Sequence, residues 1–217
     1  MNTTEKTGML VISRHTESEF NVLGKWTGLT DVNLTQKGRE EAHKIGEMLK
    51  GITFDVIYTS EQKRTHQTLE GILAGGEHPT GTPHYKSAHV NERDYGSLTG
   101  KNKWEVKDEI GDEAFHGIRR GWDYPVPAGE TLKDVHGRVV PFFTDEILPR
   151  LKRGENVLLV AHGNSIRALI KHLDDIHESA IADVEMGFGE VLLYHFVSTG
   201  DVVKKDKKQA DITPPHA

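Results

Sequence analysis

The stretch NVLLVAHGNSIRALIKHL, residues 156–173, decides the fold. Asn156 to Ala161 is a short apolar run and reads as a buried strand. His162 and Gly163 end it, and Ser165 to Leu173 continue as a helix. Upstream, Leu10 to Ser13 (LVIS) is a second buried strand and runs into Arg14-His15. Asp55 to Ser60 (DVIYTS) is a third. Between these two, Thr35 reads as an N-cap, and Gly38, Ala42, Ile45 and Leu49 recur at helical spacing up to Gly51, a C′ glycine. Thr65, Leu69, Ile72 and Leu73 predict another helix, stopped by Gly75-Gly76.

The middle of the chain is less periodic. A strand is expected near Tyr85, then short helices at Lys103 to Glu109 and Asp112 to Arg120. Leu132, Val135, Val139, Phe142, Phe143 and Ile147 mark a long helix that Pro141 should kink, because proline removes one ladder donor. Val191 to Phe196 reads as the last strand. Strands alternating with helices imply an α/β fold: a three-layer α/β/α sandwich around a mostly parallel sheet. The expected organisation is one catalytic domain over residues 1–200, followed by a polar, Lys-rich tail, 201–217, that reads as a solvated end.

Composition narrows the function. The chain has 217 residues, 35% hydrophobic and 28% charged, enough for a core. Its longest clean apolar run, Val157 to Ala161, is far short of the roughly 20 residues a membrane span needs. A net charge of -6 argues against broad nucleic-acid binding, which wants a basic face. With no cysteine, disulfides, thiolate zinc sites, iron–sulfur clusters and cysteine nucleophiles are all excluded. The start, MNTTEKTGM, has no signal-peptide core, so the expected compartment is the cytoplasm, with no membrane partner.

Two core strands end in histidine, His15 and His162. In an open parallel sheet, ligands bind beyond the carboxyl ends of the strands. Neighbouring strands would therefore bring both rings to the functional edge. Arg64 follows the third strand, and its planar fork suits phosphate better than lysine would. The reading is a phosphoryl group held among Arg14, Arg64 and His162, with His15 as the nucleophile beside it. Such a site needs no metal. GSLTGKN at Gly96 departs from a Walker loop in both spacing and last residue, GFGEVL at Gly187 lacks the third glycine of a dinucleotide fingerprint, and no HExxH exists.

RHTESEFN, YTSEQKRT, NERDYGSLTGKNK, the pair Arg119-Arg120, PAGETLKD and AHGNSIRALIKHLD together resemble the cofactor-dependent phosphoglycerate mutases of the histidine phosphatase superfamily. The matches run in order from Leu10 to about Tyr194. The resemblance implies that His15 carries the phosphoryl, that Arg14, Arg64 and His162 surround it, and that Glu92 is the general acid and base. It also implies that Gly163 and Asn164 offer the phosphoryl backbone and side-chain donors, that Asn21, Thr27, Gly28, Tyr95, Lys103, Arg119 and Arg120 bind the rest of a phosphoglycerate, and that Ser18 is among the substrate-binding residues. The expected activity interconverts 3-phosphoglycerate and 2-phosphoglycerate, primed by 2,3-bisphosphoglycerate without a metal, in a homodimer or homotetramer.

The chemistry agrees with this. A pocket that holds a phosphate and a carboxylate while His15 holds another phosphoryl needs several cations, and Arg14, Arg64, Lys103, Arg119 and Arg120 supply them. Two alternatives compete. In a histidine phosphatase acting on small phosphate esters, water would take the phosphoryl, and the second group of cations would have little to do. A silent phosphate-binding module would not need His15, Glu92 and His162 intact. One departure stands out: Thr16 occupies the place after the nucleophile where the family usually has glycine. A β-branched residue there is expected to crowd the phosphate loop, and to be strained if φ is positive.

Overall fold

The structure, a computed structural model, describes residues 7–212. The expectations for the extreme N-terminus, 1–6, and for the last part of the tail, 213–217, lie outside the described residues. A six-stranded sheet forms the middle layer. Its strands are β1 (Gly8–Arg14), β2 (Val56–Thr59), β3 (His84–Lys86), β4 (Asn156–Ala161), β5 (Glu190–Phe196) and β6 (Val202–Gln209), in the order β3-β2-β4-β1-β5-β6. The first four strands in that order run parallel, and β5 and β6 add an antiparallel edge.

Alternation along the strands builds two cores. Leu10 and Ile12 face one side and Val11 the other, as a period of two requires. The first side packs on α5 (Leu132–Phe142), α6 (Leu148–Lys152) and α7 (Gly163–Leu173), through Val135, Val139, Leu151, Ile166 and Leu169. The second packs on α2 (Gln36–Leu49) and α3 (Lys63–Gly75), through Ile45, Leu49, Leu69 and Ile72. Covering both faces is why these strands read as continuous apolar runs. A third cluster, centred on Trp26, Leu98, Phe115 and Ile118, joins the loop after α1 (Glu19–Val22) to α4 (Lys103–Arg120).

Most expected elements stand where the sequence places them. Thr35 caps α2 by accepting from the Gly38 amide at 2.9 Å. Gly51 adopts φ 88°, as a C′ residue does. The two short helices expected between Lys103 and Arg120 are the halves of α4, separated by Gly111 at φ 82°. Pro141 does not end its helix. The chain runs on through a five-residue π-turn, Phe143–Ile147, into α6.

The tail expectation is corrected. The segment after Asp201 is not a solvated end, because Val202–Gln209 forms the edge strand β6 against β5. Almost all of it is exposed, so no apolar alternation announces it. Ladder bonds hold it, with ion pairs from Lys205 to Asp174 and from Lys207 to Glu190. Lysines on an exposed edge also discourage pairing with other chains. Among the described residues, no helix is long and apolar enough to cross a membrane.

Thr16 behaves differently from the expectation too. It is fully buried, and it is not among the non-glycine residues with positive φ. Its hydroxyl donates to the Gly38 carbonyl at 2.7 Å, and its amide donates to Thr68 Oγ1 at 3.2 Å. The side chain thus ties the loop after β1 to α2 and α3. Gly38 permits that approach: a Cβ there would stand 2.1 Å from the Glu17 carbonyl oxygen. Thr16→Val keeps the shape and removes the donor. It should cost about 1 kcal/mol in urea unfolding, while Thr16→Ser should cost less. An unchanged midpoint in Thr16→Val would contradict this role.

Candidate active site

β1 and β4 are hydrogen-bonded neighbours, with Arg14 level with Ala161. The residues that follow, His15 and His162, therefore emerge side by side, and their ring centroids stand 5.1 Å apart. Both rings are buried. His15 Nδ1 lies 2.8 Å from the Thr16 carbonyl oxygen. A carbonyl only accepts, so Nδ1 carries the proton and Nε2 keeps its lone pair. Burial, reinforced by the Arg64 and Arg14 cations, holds the His15 pKa well below the ordinary imidazole value. A neutral ring with a free Nε2 is what a nucleophile requires.

His162 closes β4 and stands at the N-cap of α7. Its Nε2 lies 2.7 Å from Ser60 Oγ, which in turn lies 2.9 Å from Thr65 Oγ1. Its pKa is also held well below the ordinary value, by burial first and then by Arg64, His15 and Arg14.

Arg64 is the second residue of α3, in its first turn, and is fully buried. Its Nη1 donates to the Thr30 carbonyl and its Nη2 to the Gly28 carbonyl, both at 3.0 Å. Burial pulls its pKa down to about 10, which leaves it charged near neutrality. Arg14 lies with its guanidinium 4.1 Å from the Phe188 ring centroid, and its Nη1 donates to the Met186 carbonyl at 3.3 Å. In both arginines Nε is buried without a hydrogen-bond partner. Two orphaned cationic donors at the mouth of the His15–His162 pair fit an anion.

Glu92 is buried on the facing loop. Its Oε1 accepts from the Arg93 amide at 2.8 Å, and from the Asn164 amide and Nδ2 at 3.3 and 3.1 Å. All three bonds fall on one oxygen, which leaves Oε2 for a proton. Asn164 Nδ2 also donates to Tyr95 Oη at 2.9 Å.

The cleft above these groups gathers most of the residues singled out by sequence. Its wall includes Arg14, His15, Asn21, Thr27, Arg64, Glu92, Tyr95, Lys103, Arg119, Arg120, Gly163 and Asn164. Lys103 is pushed down to about 8 by burial and by Arg119 and Arg14. His162 lies beneath the wall. Ser18 and Gly28 are not on it. Ser18 donates to Asn21 Oδ1 at 2.8 Å, and the Gly28 carbonyl receives Arg64, so each supports a wall residue instead. Among the described residues, no group of three or more His, Asp or Glu side chains is arranged to hold a metal.

Sequence reasoning missed five supporting or lining residues. Gln62 donates to the Gly28 carbonyl at 3.0 Å and accepts the Glu92 amide at 2.8 Å, joining the two loops. Arg138 binds Glu130 and the carbonyls of His89, Asn91 and Glu92. Arg167 donates to the carbonyls of Val184, Ile181, Arg119 and Arg120, at 2.8 to 3.3 Å. Ser60 holds His162, and Glu185 lines the cleft. Ser60, Gln62 and Arg167 lie inside quoted motifs. Nothing local marks Arg138 or Glu185.

A family model described as histidine phosphatase superfamily (branch 1) matches residues 10–206. A Corynebacterium diphtheriae protein called 2,3-bisphosphoglycerate-dependent phosphoglycerate mutase is 41% identical, over 91% of this chain and 89% of that protein. One of the same name from Rhodopseudomonas palustris is 41% identical, over 91% and 96%. The solved structure of Bacillus stearothermophilus YhfR superposes with a TM-score of 0.79 at 25% identity, covering 97% of this chain and 98% of that one. With paired strand-end histidines, Arg14 and Arg64 in place, and a match spanning nearly its whole length, the chain belongs to the histidine phosphatase superfamily, branch 1.

Proposed function

We propose that the chain is a phosphoglycerate mutase, an isomerase that interconverts 3-phosphoglycerate and 2-phosphoglycerate through phospho-His15. Relatives of that name at about 40% identity over nine-tenths of the chain support this reading. One structural observation carries it. A nucleophile-ready His15 and a second cationic group, Lys103, Arg119 and Arg120, line the same cleft. A hydrolase needs only the first. A mutase must also hold the end of the substrate that is not reacting while the phosphoryl moves.

The chemistry follows from the side chains. His15 Nε2 attacks phosphorus, and the P–N bond forms as the P–O bond breaks. Arg14, Arg64 and His162 take the charge spread over the equatorial oxygens. The leaving oxygen receives a proton from Glu92. In the return transfer, Glu92 removes the proton from the accepting hydroxyl, and the P–N bond breaks as the new P–O bond forms. 2,3-Bisphosphoglycerate supplies the phosphoryl that charges His15 before the first turnover. Fixed guanidinium groups fill the place a metal would have, so the proposed mechanism is metal-independent. The proposed setting is a single catalytic domain in a cytoplasmic homodimer or homotetramer that acts on small phosphoglycerates, away from nucleic acid and membrane.

Incubation with labelled 2,3-bisphosphoglycerate should give an acid-labile, base-stable phosphoenzyme, and His15→Ala should abolish it. Label that survives that substitution, or maps to His162, would overturn the assignment.

Lys103 generates a pH dependence. Its amine is charged below about 8 and neutral above it, and the anionic substrate binds the charged form. The value of kcat/KM, which reports free-enzyme groups, should therefore fall on an alkaline limb near pH 8. Lys103→Met should lower kcat/KM and flatten that limb. A wild-type profile flat from pH 7 to about 9.5, or a limb that persists in Lys103→Met, would refute the role of Lys103.

A further inference from the structure

Glu92 has an assigned task, but Glu185 does not. It is the other carboxylate on the cleft wall among the described residues. It sits on the segment between the 3-10 turn Glu178–Asp183 and β5. Its Oε2 accepts from Arg120 Nη2 at 2.9 Å, and its side chain is 58% exposed.

We propose that Glu185 is a built-in counter-ion, holding Arg120 until the ligand's anionic end displaces it, and so weakening binding most for the most highly charged ligand. The inference rests on the mutase reading, because it concerns the end of the substrate that is not reacting.

Three observations support it. First, the two sides of the Arg120–Glu185 bridge are anchored independently of it. Arg167 donates to the Arg119 and Arg120 carbonyls on one side and to the Val184 carbonyl on the other. The bridge can open without either backbone moving, and Arg120 does not need Glu185 to reach the cleft. Second, the field of Glu185 reaches beyond its partner, raising the pKa of both Arg14 and Arg119 against the effect of burial. One carboxylate thus offsets three of the cations. Third, the same segment supplies the Met186 carbonyl and the Phe188 ring that hold Arg14. The segment is therefore continuous with the phosphoryl end of the cleft.

The consequence is chemical. Arginines that gripped a bisphosphate too firmly would trap it. It must turn around for the second transfer, so its distal end has to let go. A carboxylate ready to take Arg120 back lowers the cost of that release, because the cation is not left unpaired. A small anion that reaches only Arg14 and Arg64 does not compete with Glu185.

The test is calorimetric titration of the full chain, with and without Glu185→Gln, on a His15→Asn background that blocks phosphoryl transfer. The probes are inorganic phosphate and 2,3-bisphosphoglycerate. Glu185→Gln should tighten the bisphosphate roughly three- to fivefold, the upper end for an exposed ion pair, and change phosphate less than about twofold. Glu185→Ala should act in the same direction, and added salt should shrink the difference. Unchanged or weaker bisphosphate binding in both variants would show that Glu185 serves to place Arg120, and would overturn the proposal. So would equal tightening of both probes. Because the titration involves no turnover, its failure is distinct from failure of the mutase reading, which shows as an absent phosphoenzyme.

Discussion

The architecture answers to one constraint, the confinement of like charge. Seven cationic side chains, Arg14, Lys25, Arg64, Lys103, Arg119, Arg120 and Arg167, share one cleft wall with two carboxylates, in a chain whose net charge is -6. Burying a cation is costly unless its donors are met. Here backbone carbonyls meet donors of three of the seven. Arg64 is held by Gly28 and Thr30, Arg14 by Met186, and Arg167 by four carbonyls from two segments. Carbonyls neutralise without carrying a full negative charge, so the field in the cleft stays positive. Arg64 and Lys103 show the strain of this arrangement, at about 10 and about 8, both below their ordinary values chiefly through burial. A site that holds cations against their own repulsion is organised for an anion before one arrives.

The sheet supplies the second requirement, which is position. Parallel pairing of β1 with β4 delivers two histidines to one edge at one level. Each ring then has one nitrogen engaged, His15 through the Thr16 carbonyl and His162 through the Ser60 hydroxyl. The Glu92 loop is pinned from three sides, by Gln62, Arg138 and Asn164. His15, Glu92 and the cations thus come from segments far apart in the chain and are held by hydrogen bonds rather than by local conformation. Glu185 is the exception. It sits on the wall as an exposed charge, paired with Arg120.

What was legible in the sequence divides along the same lines. The buried strands were readable because both faces are covered, which makes NVLLVA and LVIS continuous apolar runs. His15, His162 and Arg64 were readable because each follows a core strand. The edge strand β6 was not, since VVKKDKKQ buries almost nothing and is held by ladder bonds and ion pairs, which leave no periodicity. Ser18 and Gly28 were expected to bind substrate but do not line the cleft, because their polar groups are spent on Asn21 and Arg64. Thr16 suggested crowding because sequence cannot say which way a side chain points. In the structure it turns into the core toward Gly38. Arg138, Arg167 and Glu185 act through distant carbonyls or across loops, and no local spacing encodes that.

The central claim is that the cleft transfers a phosphoryl between two hydroxyls instead of to water, using fixed cations in place of a metal. Phosphorus NMR of 3-phosphoglycerate with trace 2,3-bisphosphoglycerate, in the presence of EDTA, follows both fates in one tube. The account predicts that 2-phosphoglycerate accumulates with little free phosphate, and that Arg119→Ala shifts the ratio toward free phosphate. Free phosphate matching the 3-phosphoglycerate consumed by the unaltered protein, or turnover that begins only when a divalent metal is restored, would contradict it.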